Sequence, residues 1–556
     1  MSEQPFKFRT TFGRNIFTKY AGHPGETWPE RCQVVVDDIV GTAGGTAHPL
    51  LSAKDRARLT SFMVQMKFIP GGRYLYYAGR KAKFINNCFV FKGEEDTREE
   101  WARLLHDHTS ALMTGGGIGT DYSIFRGRGH SLSRTGGLSS GPLALMHASN
   151  EIGRNVRQGG SRRSAIYASL NWRHHDIDEF LHAKDWASMP IHEGYSVWDA
   201  KADNFDFPAP LDMTNISVNY DDAWLNHSER HLHPVFLANV RQALQWGDPG
   251  FSFNFGANQD ETGRNACAEI TSADDSDVCN LGSVNLGAID TLDEYAEVVR
   301  LASQFLVAGT LRGDLPNKKI ESVRDKNRRL GLGNMGFHEW LLKRGHAYRV
   351  HEELHEWLKV YAEQSEVAAN EFCDRFYLNH PVKYRAIAPN GTTGILAGTT
   401  TGIEPLYAVA YKRRYIDANN VRKYEYVIDA TAQHLITEHS IDPDSIETAM
   451  SLAENPIARM HFQAQVQRYV DHGISSTLNL PPWGTEHNNE SKVEEFAKTL
   501  SDFAPHLRGF TVYPDGARGG QPLTPVSYSQ AKLAEGVVFE ENDVCLLTGK
   551  GGTCGS

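Results

Sequence analysis

"GRNACAEITSADDSDVCNLGSVNLG", residues 263–287, is the stretch on which the reading of the fold turns. It sets Asn265, Cys267 and Glu269 at alternate positions and follows them with Cys279 at the head of an apolar segment. Residues two apart in extended chain point to the same side, so an amide, a thiol and a carboxylate converge on one small ligand. A thiol between two polar groups makes a poor core, because both polar groups would need buried partners. It makes a good reaction centre. The same letters also fit a loop with a helix-capping Asn and an inert cysteine, and the stretch by itself leaves both open.

Its surroundings narrow the choice. The seven cysteines, at 32, 88, 267, 279, 373, 545 and 554, form an odd set scattered over 556 residues. That is unlike the dense even set of a secreted disulfide scaffold, and it points to reduced thiols, some of them reactive. No CxxC pair or His/Cys cluster has the spacing of a structural zinc site, and the pair at His174 and His175 has no metal-ligand periodicity. A net charge of -11 argues against a nucleic-acid partner, whose phosphates call for clustered Lys and Arg. No run approaches roughly eighteen apolar residues, and the polar start lacks a signal-peptide core. A soluble cytoplasmic protein without membrane contact is expected.

Along the chain, residues 25–65 read as amphipathic helices, giving a helical N-terminal region over 1–70 that ends at the "PGGR" turn, 70–73. From there β-branched apolar segments alternate with helical ones. The strand-like segments include "CFVFKG", "RRSAIYASLNW", "MTNISVNY", "GSVNLGAI", "LGLGNMGF" and "YRAIAPN"; the helices include "TREEWARLLHDHTSALMT". This alternation predicts an α/β architecture with parallel strands. Helices return over 425–473 and 491–503, and a Gly-rich end over 531–556 reads as a mobile tail carrying Cys545 and Cys554.

Two further stretches offer ligand chemistry. "MTGGGIGTDYSIFRGRG", 113–129, is a glycine-rich turn ending in Arg126 and Arg128; it suits either close backbone approach to a phosphorylated ligand or a plain connector. "APNGTTGILAGTTTGIEPLY", 388–407, can present backbone N–H groups and hydroxyls to an anion, or simply form tight turns. "GLGNMG", 331–336, has the letters of a dinucleotide fingerprint but follows "RDKNRR", which is no buried strand. The basic run "KRRY", 412–415, is compatible with small phosphorylated ligands.

Taken together and in this order, "NNCF", "GGGIG" with Arg126, "RRSAIYASL", "NACAE", "CNLGSVNL", "GLGNMGF", "PNGTTG" with "GIEPLY", and a C-terminal cysteine pair resemble the catalytic subunit of ribonucleotide reductase, from about residue 70 onward. The resemblance implies an α/β barrel of ten strands in two parallel halves of five, spanning 71–530, with a finger loop at its centre. It implies that Cys267 carries a thiyl radical that takes the 3′ hydrogen of the ribose, that Glu269 is the base for the 3′ hydroxyl, and that Asn265 holds the sugar hydroxyls. Cys88 and Cys279 would protonate the leaving 2′ hydroxyl and supply two electrons, ending as a disulfide. Cys545 and Cys554 would re-reduce that disulfide and pass it to a thioredoxin- or glutaredoxin-like reductant. Asn390, Gly391, Thr392 and Thr393 would bind the phosphates of a ribonucleoside di- or triphosphate. Asp96 and Arg126 would bind a deoxynucleotide or ATP effector, and 183–195 sits where the family's specificity loop joins effector to substrate. A homodimer is implied as well.

A bare protein makes no thiyl radical, so a cofactor or partner must supply the oxidising equivalent. Reductases with a separate metal-containing radical subunit relay the radical through adjacent tyrosines on a late barrel strand; here Val512 precedes a single Tyr513. That points to the adenosylcobalamin-dependent class, with the subunit-dependent class as the alternative. The glycyl-radical class is disfavoured by Glu269 and by the missing C-terminal signature. No N-terminal ATP-binding activity module is expected. An inactive nucleotide-binding or redox-sensing homologue is the alternative of a different kind, and the filled set of reactive positions speaks against it.

Overall fold

The computed structural model describes residues 6–133, 136–156, 164–204, 206–416, 422–517, 523–534 and 537–540. Five strands, Cys88–Lys92, Gly117–Asp121, Ile166–Asn171, Thr214–Tyr220 and Gly250–Phe253, lie side by side and parallel. A second parallel set runs through Asp277–Asn285, Leu330–Met335, the segment 385–387, the segment 474–480 that contains Thr477–Leu480, and Gly509–Pro514. The two sets meet antiparallel at two seams: Cys88–Lys92 against Asp277–Asn285, and Gly250–Phe253 against Gly509–Pro514. The ring therefore closes as the expected barrel of two five-stranded halves. The continuous ladder is a ten-stranded sheet. It includes Phe68–Pro70, paired antiparallel with Gly282–Val284, whereas 385–387 joins only through the bridges Leu332↔Arg385 and Ile387↔Ile474.

Alternation along the strands sorts side chains between two environments. Phe89 and Phe91 face outward into a core shared with the helices Arg98–Met113, Pro142–Asn155, Pro234–Trp246 and Val493–Phe503. Cys88 and Val90 face inward and join Ala266, Ile270, Cys279, Leu281 and Ala386 in a small cluster inside the ring. Strands covered on both faces are expected of parallel sheets walled by helices.

The N-terminal helices Thr11–Phe17, Trp28–Ile39 and Ala53–Val64 share one core with the second half of the barrel, where Trp28, Val35 and Phe62 cluster with Phe305 and Trp357. The stretch 1–70 is thus not wholly helical, since its last residues form the Phe68–Pro70 strand. Other departures have local causes. Residues 425–428, expected in a helix, belong to the Arg422–Ile428 strand of a four-stranded antiparallel sheet with Leu523–Val526, Ala410–Ile416 and Val538–Glu540. The basic run lies on this sheet, with Arg413 paired to Glu425 and Lys412 over the Tyr424 ring. The tail boundary at 531 falls inside the Tyr528–Leu533 helix, and Val538–Glu540 is drawn onto the sheet by Phe539, which stacks on Tyr424. Cys545 and Cys554 lie outside the described residues. The first five residues of "GLGNMG" lie in the buried Leu330–Met335 strand, and Gly336 precedes the next helix in a left-handed conformation.

Candidate active site

The finger rises from a short antiparallel ladder, Gly263–Arg264 against Thr271–Ser272, and residues 265–270 form its tip. Asn265 holds the tip closed: its Oδ1 accepts from the Ile270 amide at 3.0 Å, and its carbonyl accepts from the Ala268 amide at 2.9 Å. Ala268 takes up a left-handed φ of 64° to make this turn. Such a conformation costs a residue with a Cβ roughly 1 kcal/mol or more and is the kind of strain that collects at functional sites.

The glycines of "GGGIG" have a structural use that the sequence did not reveal. A Cβ on Gly119 would stand 1.9 Å from the Arg264 carbonyl oxygen, and one on Gly117 would stand 2.7 Å from the Ala266 Cβ and 3.5 Å from the Cys88 Sγ. These residues lie on a barrel strand, Gly117–Asp121, not in a turn. Their missing side chains admit the protein's own finger, while Gly115, Gly116 and Gly117 also line the cavity beside it.

Beneath the tip the finger is fastened by buried charge. Arg264, fully buried, donates to Ser252 Oγ at 3.2 Å, Asn254 Oδ1 at 3.0 Å and the Arg508 carbonyl at 2.6 Å. Burial, reinforced by the Arg508 charge, lowers its pKa to about 9. Glu261, at the finger's base, accepts from Lys383 at 2.5 Å, Arg508 at 3.0 Å and Thr271 at 2.8 Å. None of these charged residues stood out in the sequence, because a charged side chain is by default read as solvated.

A cavity of about 280 Å³ opens over the tip, walled by Cys88, Cys267, Glu269 and Asn390 through Thr393. Cys88 and Cys279, 191 residues apart in sequence, are direct partners across the antiparallel seam. Opposed residues in such a ladder have Cα atoms about 4.5–5.5 Å apart, within the span a disulfide bridges. Burial raises the Cys279 thiol well above its ordinary pKa, with further contributions from Cys88 and Glu269. Cys267 is half-buried at the tip. Glu269 is 1% exposed, and burial raises its carboxyl to about pH 7, tempered by a backbone amide and the nearby Asn265 amide. Among the described residues, Glu269 Oε2 and Asn265 Nδ2 are buried with no hydrogen bond of ordinary geometry, although the two side chains lie close to each other. Unpartnered buried polar atoms are rare. Glu269 lines the cavity, where a ligand hydroxyl would satisfy its Oε2, whereas Asn265 is buried behind that lining.

At the opposite wall Asn390, in a left-handed conformation, caps the short Gly391–Ala397 helix. Its amide donates to Ser283 Oγ at 2.7 Å and to Thr393 Oγ1 at 3.2 Å, leaving Gly391 and Thr392 exposed. On the other side of Cys267 lies a narrow chamber of about 30 Å³ lined by Tyr167, Ser217, Ser252, Ser475, Ser476 and Thr511. The Tyr167 hydroxyl is buried there beside Ser217 and Ser252, and burial raises its pKa. Thr511 and Tyr513 share the inward side of Gly509–Pro514, while Val512 points outward into the helix-packed core. A separate cavity of about 380 Å³ contains both Asp96 and Arg126, joined at 2.6 Å. The segment 183–195 forms a three-residue helical turn, Trp186–Ser188, and an exposed hairpin of Pro190–His192 with Tyr195–Ser196.

The sequence matches the family profile "Ribonucleotide reductase, barrel domain" over residues 86–205, 225–369 and 382–502. It is similar to a vitamin B12-dependent ribonucleoside-diphosphate reductase of Thermoplasma acidophilum, 26% identical with 90% of this chain and 70% of that one covered. A Mycobacterium tuberculosis protein of the same description is 26% identical over 90% of this chain and 78% of its own. A putative adenosylcobalamin-dependent ribonucleoside-triphosphate reductase of Mycobacterium phage D29 is 25% identical, covering 79% and 72%. Among solved structures, the Actinobacillus ureae class Id ribonucleotide reductase alpha subunit superposes with a TM-score of 0.70 at 15% identity, over 94% of this chain and 100% of that one. That likeness concerns the fold.

Proposed function

The chain belongs to the ribonucleotide reductase family, and we propose that it reduces ribonucleoside di- or triphosphates to 2′-deoxyribonucleotides, supplying DNA precursors, with adenosylcobalamin as its radical generator. The observation that carries this is the cross-strand pairing of Cys88 with Cys279 beside a cavity that also holds Cys267 and Glu269. Cys267, as a thiyl, takes the 3′ hydrogen of the ribose. Glu269 takes the 3′ hydroxyl proton, and a carboxyl poised near pH 7 suits that task at neutral pH. The Asn265 amide nitrogen donates to a sugar hydroxyl. Cys88 and Cys279 give up two protons and two electrons, one proton leaving with the 2′ hydroxyl as water and the other ending on C2′, and close a disulfide between them, while Glu269 returns its proton and Cys267 the 3′ hydrogen. Cys545 and Cys554 then exchange with that disulfide and are reduced by a thioredoxin- or glutaredoxin-like partner.

Gly391 and Thr392 offer backbone and hydroxyl donors for the substrate phosphates. The Asp96 and Arg126 cavity receives a nucleotide effector, and the 183–195 segment conveys its identity to the substrate, in a homodimer.

The cofactor reading rests on the names of the B12-dependent relatives and on one feature of this chain. Residue 512 is Val, so Tyr513 has no adjacent tyrosine with which to form a relay pair on that strand. The chamber behind Cys267, about 30 Å³, has room for about one water molecule and does not fit a sugar-and-base group. That lining makes no adenosyl site, and the cofactor when bound would supply the oxidising equivalent. Purified protein given dithiothreitol, adenosylcobalamin and ribonucleotide should form deoxynucleotide. Turnover that needs an added metal-loaded subunit would overturn the cofactor assignment, and no turnover under either condition would overturn the function.

A further inference from the structure

The N-terminal segment is tied directly to the helix behind the 389–393 turn. A Cβ on Gly13 would stand 3.0 Å from the Leu396 carbonyl and 3.1 Å from that of Ile395, so the Thr11–Phe17 helix lies in close backbone contact with Gly391–Ala397. Arg9 reaches over the end of the same helix, donating to the Gly398 carbonyl at 2.7 Å and to the fully buried Glu339 carboxylate at 2.8 Å. Phe8 stacks on Phe17, which meets Trp28 edge to face, fixing the segment to the barrel's outer core. Held before and after in this way, the chain between Phe17 and Trp28 puts Tyr20 beside the cavity. Tyr20 lines that cavity, and a Cβ on Gly72 would stand 2.5 Å from its hydroxyl. Three residues of chain reach at most about 10 Å, so Tyr20 stays near the anchored Phe17 and beside the cavity that Asn390 through Thr393 also line.

We propose that Tyr20 is a substrate-binding residue whose phenol donates to a phosphate oxygen of the bound ribonucleotide, making the N-terminal segment a fixed part of the substrate site. The proposal rests on reading 390–393 as the phosphate turn. A phenol O–H against a charged phosphate oxygen is a charge-assisted bond, stronger than a neutral one and directional. The contact adds one donor to those of Gly391 and Thr392 and discriminates by phosphate content rather than by base.

Equilibrium binding of a ribonucleoside diphosphate and of the parent ribonucleoside to the full chain, as wild type and as Tyr20→Phe, tests this. Melting monitored by circular dichroism reports that the variant is folded. The diphosphate should bind the variant about tenfold more weakly, with nucleoside affinity unchanged. Unchanged diphosphate affinity, or an equal loss for nucleoside and diphosphate, overturns the proposal. A wild type that binds neither overturns the functional reading and this inference with it, an outcome distinct from a defect-free Tyr20→Phe.

Discussion

The finger and the phosphate turn face each other across one cavity and are built on opposite principles. The finger is held from below by buried charges, Arg264 and Glu261 with Lys383 and Arg508, and spends backbone strain at Ala268 to present Cys267. Glu269, which lines the cavity, has a buried oxygen without a hydrogen bond of ordinary geometry among the described residues. The turn is held by two hydrogen bonds from a neutral amide and presents exposed Gly391 and Thr392. Chemistry on carbon needs its groups positioned before substrate arrives, whereas phosphate recognition can be shared among several donors. Changes at the finger should therefore abolish turnover, and changes at the turn should only weaken binding.

The sharpest way to break that contrast is Cys267→Ser, which should remove turnover entirely while substrate affinity by equilibrium dialysis stays as in wild type; residual reduction would sink the radical role. Next, Glu269→Gln should cost about 10²–10⁴ in kcat and also raise stability. The sign follows from the raised carboxyl. Between the ordinary 4.5 and about 7, the folded state keeps a proton that the unfolded state has lost. Stability therefore falls as pH rises through that window, by about 3 kcal/mol in all. Glu269→Gln removes the loss, so denaturant melts at pH 8 should favour the variant by up to that amount, and a less stable variant would show that Glu269 is not strained. By the same value, kcat/KM of the wild type should climb about tenfold per pH unit below 7 and level off above it; a flat acid limb would remove Glu269 as the base.

Gly119→Ala should displace the finger by colliding with the Arg264 carbonyl. About 1–3 kcal/mol of stability should go with it, and a misplacement near 1 Å should cost on the order of 10² in kcat. Wild-type rates would mean that the finger has slack. The smallest effect belongs to the turn: Thr392→Ala should raise KM about three- to tenfold through one lost hydrogen bond and leave kcat within twofold. A collapse of kcat there would erase the distinction between the two regions.

The strands whose pairing depends on their own apolar letters were legible in the sequence: Cys88–Lys92, Ile166–Asn171, Thr214–Tyr220 and Leu330–Met335. Gly117–Asp121 was not, because its glycines answer to a loop that comes some 150 residues later, and no local pattern encodes that. The segment 385–387 read as a strand but joins the ring through single bridges only. Arg422–Ile428 runs through Asp429, the cap of the next helix, so its apolar spacing merged with the helical one. For the site, the motif order brought out the residues that touch the cavity. It was silent about Arg264, Glu261 and Arg508, whose meaning lies in burial, and about Tyr20, which lies ahead of every quoted motif.

Cys88 and Cys279 do more than face each other, because they sit at a seam where the two halves of the ring join. Each oxidation in the proposed cycle would rivet one half of the barrel to the other, and each reduction would draw the rivet. The molecule's resistance to heat should then rise and fall with its redox state. A link across about 190 residues restricts the unfolded chain by at most about 5 kcal/mol in the loop-entropy picture. Calorimetry of a Cys545→Ser, Cys554→Ser chain, oxidised and then with dithiothreitol, should show the oxidised form melting higher. Equal melting points would mean that the halves part elsewhere first.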